Sequence, residues 1–140
     1  MTMREVLPDD QEIFRKLDVL VVDDISSLRT ILKKMLLHLG VTGLVAEAQD
    51  GLEAWEMIQE KSYCLVISDL TMPRMDGVKL LQHMRSSKKF QVIPLLLITG
   101  ECSEEEIAAA VQTPCEDYLM KPFTLDTLAR HLRSLLRSQL

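Results

Sequence analysis

The chain has 140 residues, of which 47% are hydrophobic and 26% are charged, and its formal net charge is −5 at pH 7. This length and composition are typical of one soluble globular domain with a core built around a sheet. The negative charge argues against direct binding of nucleic acid, which usually needs a basic face. No apolar run approaches the roughly 20 residues that span a bilayer, and the first residues contain no secretory signal. We therefore expect a cytoplasmic protein that does not bind membranes.

Three cysteines, Cys64, Cys102 and Cys115, lie in three different segments. An odd number without a C-x-x-C spacing favours a reducing compartment over a disulfide framework. We expect each of them to be a small buried hydrophobic residue rather than a metal ligand.

Residues 1–16 are mostly polar and hold little that could pack, so we interpret them as an amino-terminal tail with a short helix near residues 10–15. The single domain is expected over residues 17–138. It begins with an apolar strand at residues 17–22. The following helix has an apolar stripe at spacings of three and four, with Ser26 as its N-cap and Gly40 at its end.

Strands and helices alternate through the rest of the chain. The remaining predicted strands are short apolar runs, at residues 44–48, 65–69, 95–98 and 118–120. The remaining predicted helices cover residues 52–60, 77–85, 103–113 and 124–136, and a capping box at Ser103 opens the third of these. Five strands alternating with five helices predict an α/β fold, a doubly wound five-stranded parallel sheet covered on both faces.

Four of the five strands stop at polar side chains that can do chemistry. The first ends at Asp23 and Asp24, the third at Asp69, the fourth at Thr99 and the fifth at Lys121. Parallel strands place these ends on one edge of the sheet. If the strand order is 2-1-3-4-5, the acidic pair lies about 4.8 Å, one strand spacing, from Asp69. Lys121 then starts roughly 10 Å away, a distance that only a long side chain spans.

Such a cluster of carboxylates has a definite chemistry. Two carboxylates ~4 Å apart repel by about 4 kcal/mol at an effective dielectric of 20, so the cluster either holds a proton or binds a cation. Oxygen ligands without His or Cys favour Mg²⁺. This ion, Lys121 and the Thr99 hydroxyl could together neutralise the oxygens of a phosphoryl group. Asp69 is then placed as the nucleophile that accepts this group. One such residue alone would be an ordinary cap or turn residue, but the joint pattern supports the hypothesis.

These residues resemble the receiver domain of two-component response regulators, of the CheY-like type, over about residues 17–136. The resemblance rests on an ordered set of motifs, which are Val21-Val22-Asp23-Asp24, Ala48-Gln49-Asp50-Gly51, Ser68-Asp69-Leu70-Thr71-Met72-Pro73-Arg74-Met75-Asp76-Gly77, Ile98-Thr99-Gly100 and Tyr118-Leu119-Met120-Lys121-Pro122-Phe123. It implies the flavodoxin-like (βα)5 fold with strand order 2-1-3-4-5. It also implies a role in phosphorelay signal transduction.

The resemblance implies a role for each matched position. Asp69 is similar to the phospho-acceptor of the family. Its phosphoryl group would come from a histidine kinase or a phosphotransfer protein. Asp23 and Asp24 are similar to the acidic pair that binds Mg²⁺ together with Asp69 and the backbone carbonyl of Thr71. The resemblance also implies that Thr99 and Tyr118 are the switch residues and that Lys121 is the counter-ion of the phosphate. Thr71 and Glu101 match the positions that tune the lifetime of the phosphate. A cis peptide bond is implied before Pro122.

By the same resemblance, phosphorylation alters the face formed by the helix predicted at residues 103–113, the fifth strand and the last helix. That face would control a downstream protein or an attached output domain, and it would also serve for a homodimer. Two departures from the family pattern affect this region. Gly100 stands where Ala is usual, which could loosen the loop after Thr99. The run Thr113-Pro114-Cys115 replaces the usual Ala-Gly-Ala, and Pro114 cannot form a glycine helix stop.

Three questions of function stay open from the sequence. The chain is either a stand-alone regulator or the receiver part of a longer protein. We expect no enzyme activity beyond phosphoryl transfer to Asp69 and its hydrolysis, but a Mg²⁺-dependent phosphatase with an aspartyl-phosphate intermediate is an alternative. Such phosphatases usually carry a second Asp two residues after the nucleophile, where this chain has Thr71. A degenerate receiver that only binds proteins is disfavoured, because the acidic residues, Thr99 and Lys121 are all retained.

Overall fold

The structure, a computed structural model, describes residues 8–100 and 117–137. Five parallel strands form one sheet in the order β2-β1-β3-β4-β5. The elements in chain order are α1 (Pro8–Arg15), β1 (Val19–Val22), α2 (Ser26–His38), β2 (Val45–Ala48), α3 (Gly51–Glu60), β3 (Leu65–Asp69), α4 (Gly77–Ser86), β4 (Leu95–Thr99), β5 (Asp117–Met120) and α5 (Leu125–Arg137). The helix predicted for residues 103–113 lies outside the described residues. The doubly wound parallel α/β fold and its strand order are confirmed.

The central strands are apolar on both faces, and each face has its own core. All residues of β1 and β4 are buried, as are the first four of β3. Alternate residues point to opposite faces of a strand. Leu20, Val66 and Leu97 therefore pack in one cluster with α3 and α4, whereas Val21 and Ile67 pack in the other with α2 and α5. Burial of each such side chain contributes about 1.5–3 kcal/mol relative to exposure.

The amino-terminal helix α1 is part of this packed structure. Phe14 is 3% exposed and belongs to the cluster that contains Leu36 and Leu136, and α1 contacts α5. The backbone N–H of Thr42 donates to the carbonyl of Arg15 at 2.8 Å. A short helix was expected here, but the interpretation of the segment as a tail with little to pack does not hold for α1. The reason is that Phe14 packs into the apolar cluster that also contains the buried residues of α2 and α5.

Helix α2 begins without the side-chain cap that was expected. Ser26 is the first helical residue, and the N-cap position is occupied by Ile25, which makes no side-chain capping bond. The backbone N–H of Ile25 instead donates to Asp23 Oδ1 at 2.9 Å. The prediction for the other end is confirmed, because Gly40 follows the helix with φ 104°, a conformation that glycine adopts at little cost.

Cys64 is exposed, so the expectation that it would be buried is wrong. It precedes β3 at the edge of the sheet where the strands begin, and the buried residues of β3 start only at Leu65. Cys102 and Cys115 lie outside the described residues. Among the helices of the described ranges, none is long and apolar enough to cross a membrane.

Candidate functional site

The carboxyl edge of the sheet brings together the acidic ends of β1 and β3. These strands are direct neighbours, with Val22 paired to Ser68, so the residues that follow in each strand lie side by side. One carboxylate oxygen from each of Asp23, Asp24 and Asp69 lies within 4.8 Å of the other two. Asp23 is buried, whereas Asp24 is exposed. The structure thus places the three predicted acidic residues in one cluster.

Lys121 reaches this cluster from two strands away. Its Nζ lies 3.4 Å from Asp69 Oδ1 and 3.8 Å from Asp23 Oδ2. Its backbone N–H donates to the carbonyl of Thr99 at 2.7 Å, which ties the end of β5 to the end of β4. The peptide bond between Lys121 and Pro122 is cis, as the resemblance implied. The long lysine side chain therefore spans the distance that its strand position requires.

The carboxylates are not fully compensated by this one cation. Burial raises the pKa of Asp69 above its ordinary value, Lys121 lowers it and the charge of Asp23 raises it, with a net increase. Burial likewise raises the pKa of Asp23, against the lowering effects of the Ile25 N–H and Lys121. A bound divalent cation would supply the missing positive charge. Because the cluster offers only oxygen donors, it fits a hard ion such as Mg²⁺.

Asp23 is held in place by a residue that the sequence did not point out. Arg29 Nη1 donates to the backbone carbonyl of Asp23 at 2.6 Å, and its Nε donates to Glu47 Oε1 at 2.8 Å. Lys33 also binds Glu47, through Oε2 at 3.1 Å. Arg29 thus links the start of α2 to β2 and to the end of β1. The only sequence signal for this role is a basic residue in the first turns of the helix that follows the acidic pair.

The loop after Asp69 is packed closely against the site. The N–H of Leu70 donates to the carbonyl of Ile98 at 2.8 Å, and the N–H of Gly77 donates to the carbonyl of Leu70 at 2.9 Å. A Cβ on Gly77 would lie 2.4 Å from the carbonyl oxygen of Asp69, so only glycine fits there. Thr71 lies in this loop and is exposed.

The other predicted residues lie around this centre. Thr99 is buried at the end of β4. Tyr118 on β5 is half-buried and packs against the cluster on the α3 and α4 side of the sheet. A Cβ on Gly100 would lie 3.7 Å from both Cβ and Cδ of Lys121, so the glycine leaves the lysine stem uncovered on that side. Glu101 and residues 113–115 lie outside the described residues.

An apolar cavity of about 290 Å³ opens beside the cluster. Asp69 and Lys121 form its polar end, and the first turns of α2 form one wall. The remaining lining residues are Asp23, Leu28, Ile31, Leu32, Met35, Ile98, Pro122 and Phe123. Ile31 fits the spacing of the apolar stripe of α2, yet it lines this cavity and is 52% exposed.

The family profile described as the response regulator receiver domain matches residues 19–133. The chain belongs to the response regulator receiver family. This receiver domain is of the CheY-like type and is 37% identical over 118 residues to chemotaxis protein CheY-3 of Vibrio cholerae serotype O1, which covers 84% of this chain and 90% of that protein. Receiver domains are the signal-receiving modules of two-component signalling. Helix α1 precedes the matched residues.

Two solved structures show the same fold. The signal receiver domain of a signal transduction histidine kinase from Syntrophus aciditrophicus superposes with a TM-score of 0.79 at 26% identity, covering 87% of this chain and 91% of that one. The receiver domain of the sensor histidine kinase PA1611 from Pseudomonas aeruginosa PAO1 has a TM-score of 0.78 at 24% identity and covers 87% and 98% of the two chains. That second structure has a magnesium ion coordinated in its active site cleft.

Proposed function

We propose that this receiver domain is a phosphorylation switch in which Asp69 accepts a phosphoryl group from the phosphohistidine of a histidine kinase or a phosphotransfer protein. The observation that carries the proposal is the placement of Asp69 between two further carboxylates and the Lys121 ammonium, whose Nζ lies 3.4 Å from Asp69 Oδ1. A nucleophile, a cation-binding cluster and a fixed positive charge are the parts that phosphoryl transfer requires.

The cation in this proposal is Mg²⁺, held by Asp23, Asp24, Asp69 and the backbone carbonyl of Thr71. Bound there, the ion would neutralise charge on the phosphoryl oxygens. The oxygen-only donor set and the uncompensated charge of Asp23 and Asp69 support this assignment. The magnesium ion in the cleft of the PA1611 receiver domain supports it as well.

The transfer forms one bond and breaks one. A carboxylate oxygen of Asp69 attacks the phosphorus while the P–N bond of the donor imidazole breaks, and the electron pair returns to the imidazole nitrogen, which takes up a proton. Lys121 then pairs with one phosphoryl oxygen and the Thr99 hydroxyl donates to another. Water later attacks the same phosphorus, the bond between phosphorus and the Asp69 oxygen breaks, and inorganic phosphate leaves, which restores the Asp69 carboxylate. In this proposal no other substrate is turned over.

The output of the switch follows from the new charge at the sheet edge. Thr99 and Lys121 shift toward the phosphoryl group, and Tyr118 on β5 changes its side-chain position with Thr99. The surface around β5, α5 and the helix predicted at residues 103–113 then binds a downstream protein, an attached output domain or a second copy of the chain. Glu101 and Thr71 set how long the phosphoryl group persists.

The proposal is tested by intact-mass spectrometry. Incubation with Mg²⁺ and acetyl phosphate should add one phosphoryl group to the wild-type protein. The gain should be lost in Asp69→Asn and when the metal is chelated. Absence of any gain in the wild type under all donor concentrations would overturn the proposal.

The phosphatase alternative predicts a different result in the same samples. A phosphatase would turn over p-nitrophenyl phosphate steadily in the presence of Mg²⁺, with loss of turnover in Asp69→Asn. The switch takes its phosphoryl group from a phosphohistidine or an acyl phosphate, so it predicts no steady turnover of this phosphate ester. A release of more than one equivalent of nitrophenol, dependent on Asp69, would favour the enzyme.

A further inference from the structure

Two segments that are distant in the chain meet at the loop that follows Asp69. These are the start of α3 and residues 70–76, the loop between β3 and α4, which we call the acceptor loop. Arg74 Nε donates to Asp50 Oδ2 at 2.8 Å. The N–H of Gly51 donates to the carbonyl of Met75, also at 2.8 Å. The far end of the acceptor loop is thus attached to α3 by an ion pair and a backbone hydrogen bond.

Asp50 is a rigid attachment point. Its side chain is buried, and its Oδ1 accepts the N–H of Glu53 at 2.9 Å, so the same carboxylate caps α3. Burial alone would raise the pKa of Asp50, but the Glu53 N–H and Arg74 outweigh it and hold the pKa below its ordinary value. Asp50 therefore remains ionised near neutral pH.

Arg74 holds the loop in a conformation that its backbone does not favour. Its φ is 64°, in the left-handed region that side chains other than those of Gly, Asn and Asp adopt rarely. The acceptor loop also packs closely against the start of α3, because a Cβ on Gly51 would lie 2.5 Å from the carbonyl oxygen of Met75. The loop geometry thus depends on the contacts with α3 rather than on local backbone preference.

The attachment lies a short distance from the predicted metal ligand. Only Met72 and Pro73 separate Arg74 from Thr71. Met72 is buried in the core, and the ring of Pro73 restricts its φ. With Leu70 bonded to β4 at the other end, little freedom remains for the Thr71 carbonyl.

We propose that Asp50 and Arg74 are positioning residues that fix the acceptor loop so that the backbone carbonyl of Thr71 faces the bound cation. This inference rests on the proposed function. Neither side chain contacts the cation or the phosphoryl group. Both act through the loop.

The test compares variants that separate the ion pair from its structural surroundings. Arg74→Gly removes the side chain and suits the positive φ. Asp50→Asn removes the charge but retains a good N-cap for α3. Arg74→Lys keeps the positive charge. The matched control is Lys61→Ala, which breaks the ion pair of Lys61 with Asp18, at 3.2 Å, on the opposite edge of the sheet.

The readout is the dissociation constant of Mg²⁺ for the full, unphosphorylated chain, measured by calorimetry well below the melting temperature of each variant. We expect Arg74→Gly and Asp50→Asn each to weaken Mg²⁺ binding by roughly three- to tenfold. Because both act through one contact, the double variant should be no weaker than the weaker single variant. Arg74→Lys should recover most of the affinity, and Lys61→Ala should leave it unchanged.

Each other result has a defined meaning. Unchanged Mg²⁺ affinity in Arg74→Gly and Asp50→Asn overturns this inference and leaves the proposed function in place. Equal weakening in Lys61→Ala also overturns it, because general loss of stability would then explain the effect. Absence of Mg²⁺ binding by the wild type overturns the proposed function itself. Arg74→Gly keeps the test available if Asp50→Asn does not fold.

Discussion

Asp69 and Asp23 carry negative charge that the surrounding residues do not fully offset. The pKa of each is raised, mainly by burial. A carboxyl group whose pKa is higher in the folded state retains protons that the unfolded chain releases. Its ionisation therefore costs stability as the pH rises from the ordinary value, 3.8, through the raised value. The site destabilises the metal-free protein at neutral pH.

Asp69→Asn should make the metal-free protein more stable. At pH 7 with chelator present, we expect a gain of roughly 1 kcal/mol in unfolding free energy, or about 4 °C in melting temperature. The gain should vanish below pH 3.8, the ordinary pKa, because Asp69 is then protonated in both states. Thermal unfolding followed by circular dichroism measures it.

The control for this comparison is Glu60→Gln, which neutralises an exposed carboxylate on α3. It should change the melting temperature little at either pH. A melting temperature of Asp69→Asn below that of the wild type at pH 7 would contradict the interpretation of uncompensated charge.

At the scale of single elements, the start of α4 depends on close contact with β3. Gly77→Ala should destabilise the protein by about 1–3 kcal/mol, because its Cβ would lie 2.4 Å from the carbonyl oxygen of Asp69 and one backbone segment must shift. Urea denaturation measures the loss. Gly100→Ala is the matched control, since its Cβ would make ordinary contacts at 3.7 Å with Lys121. It should be neutral or slightly stabilising, and equal losses in both variants would contradict the prediction.

Helix α1 lies outside the residues that match the receiver family, yet its Phe14 is buried in the core. Phe14→Ala should lower the unfolding free energy by about 3 kcal/mol, because it removes a large buried side chain and leaves a cavity between α1 and α5. Chemical denaturation measures the change. Leu37→Ala on α2, at a position that is 64% exposed, should cost far less. Similar stability of Phe14→Ala and the wild type would contradict a stabilising role for this buried side chain.

At the scale of the whole molecule, cation binding should stabilise the fold. The three carboxylates lie together only in the folded chain, so Mg²⁺ binds the folded state in preference. At a concentration one hundred times its dissociation constant, Mg²⁺ should add about 2.7 kcal/mol of stability. Scanning calorimetry in MgCl₂, compared with NaCl of equal ionic strength, measures the increase. An equal effect of the two salts would argue against a specific cation site.

The sheet and the residues at its carboxyl edge can be predicted from the amino-acid sequence. The apolar runs of β1, β3 and β4 are buried on both faces, and this pattern can be seen in the sequence. A polar residue follows β1 directly and forms the last residue of β3 and of β4. Parallel strands joined by crossover helices place their carboxyl ends on one edge, so the grouping of Asp23, Asp69 and Lys121 follows from chain order once the strand order is known.

The further residues that support that edge become visible only in the folded protein. Arg29 bonds to Glu47 across eighteen positions and Arg74 to Asp50 across twenty-four, and neither spacing forms a local pattern. Partner choice among charged side chains depends on where folded segments meet in space, and many alternative pairs are equally compatible with the sequence. The burial of Phe14 and the exposure of Cys64 could not be predicted either, because each depends on whether segments distant in the chain cover that side chain.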